Sequence, residues 1–172
     1  IPKGIEDSES RWGSLMRQGD RGNTCTLANR CLSKATPLIE ASGDLDELSA
    51  WLGNLRSYSE VAPYSQQLVD MQIALLQMGS VIAGSDQSVS LTVDQIEAWL
   101  VEIDAALPPL KEFVMAGENQ VSSVAHICRT VCRRAERHVV AIDDDSLTQS
   151  LVPLLNRMST YLFALARTLS DN

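Results

Sequence analysis

The sequence is poor in positive charge and in aromatic residues. Lysine and arginine number 14 against 22 aspartates and glutamates, which gives a formal net charge of −8. This balance argues against general nucleic-acid binding, because that function requires a broad basic surface. Aromatic residues make up 5% of the chain while hydrophobic residues make up 45%. We therefore expect a helical core built from leucine, alanine, valine and isoleucine.

Long apolar runs and dense cysteine patterns are also missing. No apolar run approaches the roughly 20 residues that span a bilayer, and no secretory signal pattern opens the sequence. Two of the four cysteines, Cys128 and Cys132, share an apolar stripe, so we expect them to be small buried thiols. The two histidines supply no matching pair of metal ligands. We expect a cytoplasmic protein that binds neither membrane nor nucleic acid.

The chain divides into a polar start, a loop and a helical body. Residues 1–14 lack periodicity, and we expect a disordered tail there. Residues 15–172 are long enough for a single domain with its own core. Its first part, 15–37, is rich in glycine, asparagine, threonine and arginine, which is typical of turns. A loop of this length in a compact domain is usually either functional or disordered.

Five helices are predicted after this loop, and no strand pattern competes with them. The pattern indicates an all-α protein, an antiparallel bundle of four or five helices. Capping boxes are predicted at three helix starts. The predicted features are a first helix opening at Asp44 and Glu47, a second at 62–84, a third opening at Thr92 and Gln95 and ending at Pro108–Pro109, a fourth at 120–143, and a fifth capped by Ser146 and Gln149.

The fourth predicted helix carries a row of charges in "HICRTVCRRAERHVV", residues 126–140. At about 3.6 residues per turn, Arg129, Arg133, Glu136 and Arg137 fall on one stripe, with His126 beside them. Like charges at this spacing repel one another. Three interpretations remain open: a solvated face, an ion-pair seam at a subunit contact, or a site for a polyanion such as a triphosphate. The opposite stripe is predicted to be core: Val124, Cys128, Val131, Cys132, Ala135, Val139 and Ile142.

The segment "GDRGNT", Gly19 to Thr24, is the second candidate site. Two glycines permit positive φ, and successive N–H groups in such a turn can bind an anion. Lys34 adds a positive charge downstream. The segment lacks the spacing of a Walker motif, so an ordinary glycine loop is the alternative.

Taken together, several blocks of this sequence resemble the ATP:corrinoid adenosyltransferases of the PduO type. The blocks follow the order of that family and touch most of residues 15–170. They are "RQGDRGNT" with "EASGDLDELSAWLG", "FVMAG" at 113–117, "RTVCRRAERHVV" and "LLNRMSTYLFALAR".

This resemblance implies a five-helix subunit of a homotrimer with active sites between adjacent subunits. It implies transfer of the 5′-deoxyadenosyl group from ATP to cob(I)alamin, with release of triphosphate and a need for Mg²⁺. Cobalt(I) is then the nucleophile, so the protein's tasks are positioning and electrostatics. An electron-donating reductase and an adenosylcobalamin-dependent enzyme are implied as partners.

The resemblance also implies roles for individual residues. Arg133 would grip the triphosphate, and Glu136 and Asn156 would hold the nucleotide. Arg129 would pair with Asp46 across the subunit boundary. Phe113 would keep the lower ligand off cobalt, the alternative being a plain core aromatic. The phosphates would be wrapped by Gly19, Asp20, Gly22, Thr24 and Lys34.

Two other functions stay open. Met16, Gln18 and Leu38 depart from the family pattern in its nucleotide-binding half. These departures motivate one alternative, a cobalamin-binding carrier or sensor with weak or lost ATP use. A ferritin-like or plain scaffold bundle is the other alternative. A di-iron bundle would require Glu-x-x-His motifs, and neither His126 nor His138 follows a glutamate at that spacing.

Overall fold

The computed structural model of the chain describes residues 19–26 and 31–170. Within these ranges a small hairpin precedes five α-helices, which confirms the predicted helical bundle. The predicted tail at 1–14 lies outside the described residues, as do Met16 and Gln18. The elements are β1 (Asn23–Cys25), β2 (Cys31–Ser33), α1 (Pro37–Leu55), a 3₁₀ helix (Ser59–Tyr64), α2 (Ser65–Ile82), α3 (Val93–Asp104), α4 (Gln120–Ala141) and α5 (Asp145–Ser170).

The hairpin corrects the expectation that the chain contains no strand. Strands β1 and β2 pair antiparallel, with Asn23 opposite Ser33, Thr24 opposite Leu32 and Cys25 opposite Cys31. Each strand has three residues, which is too short for an alternating hydrophobic pattern to be recognised.

The predicted start of the first helix was wrong. Helix α1 begins at Pro37, directly after the extended residue Thr36. Proline suits the first helical position because the backbone N–H there has no partner within the helix. Asp44 therefore lies in the middle of α1. It is buried there, so it does not cap the helix.

The predicted caps of two later helices had different outcomes. The capping box of α3 is confirmed: Gln95 N donates to Thr92 Oγ1 at 3.2 Å, and Thr92 N donates to Gln95 Oε1 at 2.9 Å. The predicted cap of α5 was wrong, because Ser146 lies inside the first turn. The backbone N–H of Leu147 donates instead to Asp144 Oδ1 at 3.0 Å.

Helix α4 occupies the centre of the bundle. It packs against α1 and α5, while α2 packs against α1 and α3 packs against α5. The predicted apolar stripe of α4 is buried from Val124 to Val139, and Ile142 packs partly buried against the same core. None of the helices in the described ranges combines the length and the apolar character needed to cross a membrane.

Candidate active site

The charged stripe of α4 borders a cavity of about 330 Å³. Arg133, Glu136, Arg137 and Val140 line it from α4, and Asn156 lines it from α5. Arg133 and Arg137 are exposed, and Arg137 Nη1 donates to the backbone oxygen of Arg133 at 3.1 Å. Two guanidinium groups beside one carboxylate leave excess positive charge, which suits a phosphate-bearing ligand.

A polar network fixes the wall of this cavity that α5 contributes. Asn156 Nδ2 donates to Glu136 Oε1 at 3.1 Å. Arg157 Nη1 donates to Asn156 Oδ1 at 2.8 Å, and Arg157 Nε donates to Glu97 Oε1 on α3 at 2.7 Å. The network orients the Asn156 amide, because its oxygen and its nitrogen each have a defined partner.

Arg129 and His126 form a second group one to two turns away on α4. The Arg129 guanidinium lies 5.9 Å from the ring centre of Phe163, within range of a cation–π contact. The His126 ring is 6.2 Å from the same ring, centre to centre. Within the described chain, neither ring nitrogen of His126 makes a hydrogen bond, nor does Arg129 Nε. Burial, and then the nearby charge of Arg129, lower the pKa of His126, which favours a neutral imidazole.

Two aspartates of α1 have different surroundings. Asp44 is buried and binds two side chains of α4: Arg134 Nε donates to Asp44 Oδ1 at 3.0 Å, and His138 Nδ1 lies 2.6 Å from Asp44 Oδ2. The hydrogen bond to Asp44, together with the negative charges of Asp44 and Glu47, raises the pKa of Arg134. Asp46 is exposed, and the described residues contain no ion pair between it and Arg129. Asp44 therefore joins two helices, whereas Asp46 faces outward.

The predicted phosphate loop forms a turn attached to the hairpin. Gly22 has φ of 77°, a conformation that glycine adopts without strain. Its N–H donates to Gly19 O at 3.2 Å, and its carbonyl accepts from Lys34 N at 2.8 Å. The side chain of Lys34 lies against Gly19: a side-chain Cβ at position 19 would be 2.7 Å from Lys34 Nζ. Gly19 thus leaves room for the ammonium group, and Thr24 follows on β1.

Phe113 is fully exposed in the connector between α3 and α4. This excludes the alternative of a core aromatic. Met115, Leu110 and Val101 are also exposed nearby in the sequence. A large apolar side chain that is fully exposed contributes little to the folding of the chain.

A family model for cobalamin adenosyltransferases matches residues 14–169. The chain belongs to this family. A cobalamin adenosyltransferase from Cupriavidus metallidurans is 36% identical over 158 residues, covering 90% of this chain and 86% of that protein. The corrinoid adenosyltransferase MMAB of Bos taurus is 32% identical over 189 residues, covering 96% of this chain and 78% of its own length.

Solved structures of PduO-type adenosyltransferases share this fold. A variant of the ATP:corrinoid adenosyltransferase from Lactobacillus reuteri, complexed with cobalamin and ATP, superimposes with a TM-score of 0.80 at 29% identity. The match covers 90% of this chain and 91% of that one. The predicted membership in the PduO-type family, and with it the transferase class, is confirmed.

The structure of this family member brings together part of the predicted site. Arg133, Glu136 and Asn156 share one cavity, and Gly19, Gly22, Thr24 and Lys34 share one turn and hairpin. Asp20 is exposed on that turn. Asp46 and Arg129 are not brought together within one chain. Sequence reasoning did not assign Arg137 to the site, although its place on the arginine stripe was a usable signal.

The cysteines divide into two pairs with different chemistry. Cys128 and Cys132 are free and buried, as predicted. Cys25 and Cys31 form a disulfide across the hairpin, which the sequence analysis did not anticipate. Among the described residues, no group of three or more histidine, cysteine, aspartate or glutamate side chains is arranged to hold a metal ion.

Proposed function

We propose that this chain transfers the 5′-deoxyadenosyl group of ATP to cob(I)alamin, giving adenosylcobalamin and triphosphate. The observation that carries this proposal is the cavity shared by Arg133, Arg137, Glu136 and Asn156. It presents guanidinium groups for an anion beside an amide and a carboxylate that can bind a nucleoside. Membership in the adenosyltransferase family makes ATP the ligand of choice.

In the proposed reaction, the cobalt(I) electron pair attacks the ribose C5′ of ATP. A cobalt–carbon bond forms, the C5′–O bond breaks, and triphosphate leaves with the bonding electrons. The leaving group gains negative charge, which Arg133 stabilises. The phosphates are wrapped by the turn that contains Gly19, Asp20 and Gly22, by the hydroxyl group of Thr24 and by the ammonium group of Lys34. Mg²⁺ enters as part of MgATP, since Mg²⁺ is commonly bound by substrate phosphates with few carboxylates.

Glu136 and Asn156 orient the nucleoside in this proposal. Their mutual hydrogen bond presets both side chains before ATP binds, which lowers the entropic cost of reaching the reactive geometry. Phe113 occupies the corrinoid side of the site and keeps the lower ligand off cobalt, so that the corrinoid stays four-coordinate. Its full exposure supports a role that requires contact with a ligand.

We further propose that the site is completed by a second copy in a homotrimer, with Arg129 pairing to the partner subunit's Asp46. Two features support this. Arg129 Nε is buried without a hydrogen bond in the described chain, and Asp46 lies exposed on α1. In the cell, such an enzyme requires a reductase to supply electrons and delivers its product to an adenosylcobalamin-dependent enzyme. We place it in the cytoplasm.

The decisive assay mixes cob(II)alamin with a reductant strong enough to form cob(I)alamin, together with MgATP and the protein. Formation of light-sensitive adenosylcobalamin, followed by its visible spectrum, supports the transferase. No product, with a cob(II)alamin band shifted toward the four-coordinate form, would instead indicate a corrinoid carrier or sensor. No spectral change at all would contradict both functions.

Subunit mixing tests whether the site lies between copies. Asp46→Ala and Arg133→Ala are each expected to have strongly reduced activity alone. After co-refolding, some interfaces combine Asp46 from one copy with Arg133 from another, and activity should return. Mixtures that remain as inactive as the separate variants would contradict a shared site.

A further inference from the structure

The disulfide between Cys25 and Cys31 lies in the hairpin that carries the proposed phosphate loop. These two residues face one another in the strand register, at the end of the hairpin remote from Gly22. Both are exposed to solvent. An exposed disulfide is open to attack by a thiolate, and such bonds are characteristically labile or regulatory.

The disulfide closes the same short hairpin that holds two of the proposed phosphate ligands. Thr24 directly precedes Cys25 and is paired with Leu32. Lys34 follows β2 and is attached to the glycine turn through its backbone N–H, which donates to Gly22 O at 2.8 Å. A change in the order of this hairpin therefore changes the placement of both Thr24 and Lys34.

Among the described elements, the hairpin packs mainly on itself and only weakly on the helices. Each strand has three residues, of which only the central one is partly buried. Two-stranded hairpins of this size are at best marginally stable in water. The covalent link between the strands is consequently a large part of what orders them.

We propose that Cys25 and Cys31 form a reversible thiol–disulfide site that sets the ATP affinity of the loop, the oxidised form binding ATP more tightly. This inference rests on the proposed function of the loop. The oxidised hairpin presents Thr24 and Lys34 already ordered, whereas the reduced hairpin must be ordered when ATP binds. Preorganisation of this kind raises affinity because it lowers the entropy lost on binding.

The reductant is a dithiol, such as a thioredoxin-like protein or dithiothreitol. One of its thiolates attacks a sulfur of the Cys25–Cys31 bond and forms a mixed disulfide, releasing the other cysteine as a thiolate. The second thiol of the reductant then displaces the remaining cysteine. Two electrons and two protons pass to the protein, and the reductant leaves as its own disulfide.

The other two cysteines provide an internal control. Cys128 and Cys132 are buried, and burial raises the pKa of Cys128 to about 12. Cys132 Sγ donates to Leu155 O at 3.2 Å. Neither side chain provides an accessible thiolate at neutral pH, so a mild reagent acts on the hairpin pair alone.

The test is titration calorimetry of the whole protein with MgATP, before and after treatment with a phosphine reductant. Corrinoid is left out, because the reductants that form cob(I)alamin would also reduce the disulfide. We expect reduction to raise the Kd for ATP roughly threefold to tenfold, the change that ordering one or two side chains gives. The Cys25→Ser/Cys31→Ser variant should show the weaker Kd with or without reductant, whereas Cys128→Ala/Cys132→Ala should respond like the wild type.

Thiol counting by mass spectrometry accompanies the titration. After equilibration with oxidised glutathione, peptides containing Cys25 and Cys31 should be recovered in disulfide linkage. Two free thiols there, or equal Kd values for the oxidised and reduced protein, would overturn the redox site while leaving the transferase in place. Absence of ATP heat in both redox states would overturn the proposed function of the loop as well.

Discussion

Asn156 and Glu136 join α5 to α4 through a hydrogen bond of 3.1 Å at the edge of the arginine cavity. They are 20 residues apart in sequence, and the family resemblance implies a role in nucleotide binding for both. Because Asn156 also accepts from Arg157, its amide has one defined orientation. The contact places two residues from separate sequence motifs side by side on the wall of one cavity.

Replacing Asn156 tests this surface. We expect Asn156→Ala to raise the KM for ATP about tenfold, because about 1.4 kcal/mol of binding is lost with its hydrogen bonds. Steady-state kinetics with ATP as the varied substrate provide the measurement. Ser150→Ala, on an exposed part of the same helix, is the control and should behave like the wild type. An unchanged KM for Asn156→Ala would remove this residue from the site.

Arg133→Ala should abolish most of the activity and leave the fold intact, because Arg133 is exposed and its proposed role is to stabilise the leaving triphosphate. Loss of one such group lowers kcat by roughly 100-fold to 1,000-fold. The matched control is Arg56→Ala, which removes an arginine that binds Gln72 away from the cavity. Turnover by Arg133→Ala at the wild-type rate, with circular dichroism unchanged, would refute the role.

Asp44 and Asp46 are close in sequence but should respond oppositely to substitution by alanine. Asp44→Ala leaves Arg134 and His138 without their shared acceptor. We expect it to lower the free energy of unfolding by about 2 kcal/mol, within the range for lost charged hydrogen bonds. Asp46→Ala should leave stability unchanged, since Asp46 is exposed, and lower activity instead. Urea unfolding and the spectral assay separate the two effects, and the opposite pattern would reverse the assignments.

Phe113→Ala should reduce adenosylcobalamin formation without lowering the melting temperature, because the ring is fully exposed and buries no area on folding of the chain. Leu110→Ala removes another exposed apolar side chain from the same connector and serves as the control. Phe113→Ala, unlike Leu110→Ala, should also fail to shift the cob(II)alamin band toward the four-coordinate form. A large loss of stability in Phe113→Ala would mean that the ring packs against protein rather than substrate.

His126 should make stability depend on pH below neutrality. Burial and the charge of Arg129 lower its pKa from the ordinary value of 6.5, so the unfolded chain takes up the proton first as pH falls. Its contribution to stability is complete above about pH 6.5 and is lost progressively below it, down to the pKa of the folded state. Urea unfolding at pH 7.5 and 5.5 should therefore show a smaller decrease in stability for His126→Gln than for wild type. Equal decreases would indicate that His126 titrates alike in both states.

Periodicity was a sound guide wherever helices bury one face. The apolar stripe of α4 was predicted, and its residues from Val124 to Val139 are buried. The cap of α3 was predicted because Thr92 and Gln95 lie three residues apart and need no other element. The start of α1 was predicted wrongly because Asp44 and Glu47 have the spacing of a cap but serve tertiary contacts with Arg134.

The candidate site residues could be identified from the sequence, whereas their mutual arrangement could not. Motif order was sufficient to indicate the family, and the resemblance to that family singled out Arg133, Glu136 and Asn156. Helical spacing alone placed Arg133 and Glu136 on one charged stripe. The three-dimensional packing of α4 on α5 decided that these three residues share a cavity with Arg137. Other parts of the tertiary structure decided that Cys25 faces Cys31, that Asp44 is buried while Asp46 is exposed, and that Phe113 is exposed to solvent. Each of these outcomes depends on contacts between segments distant in sequence or on strand register, and neither composition nor periodicity contains that information.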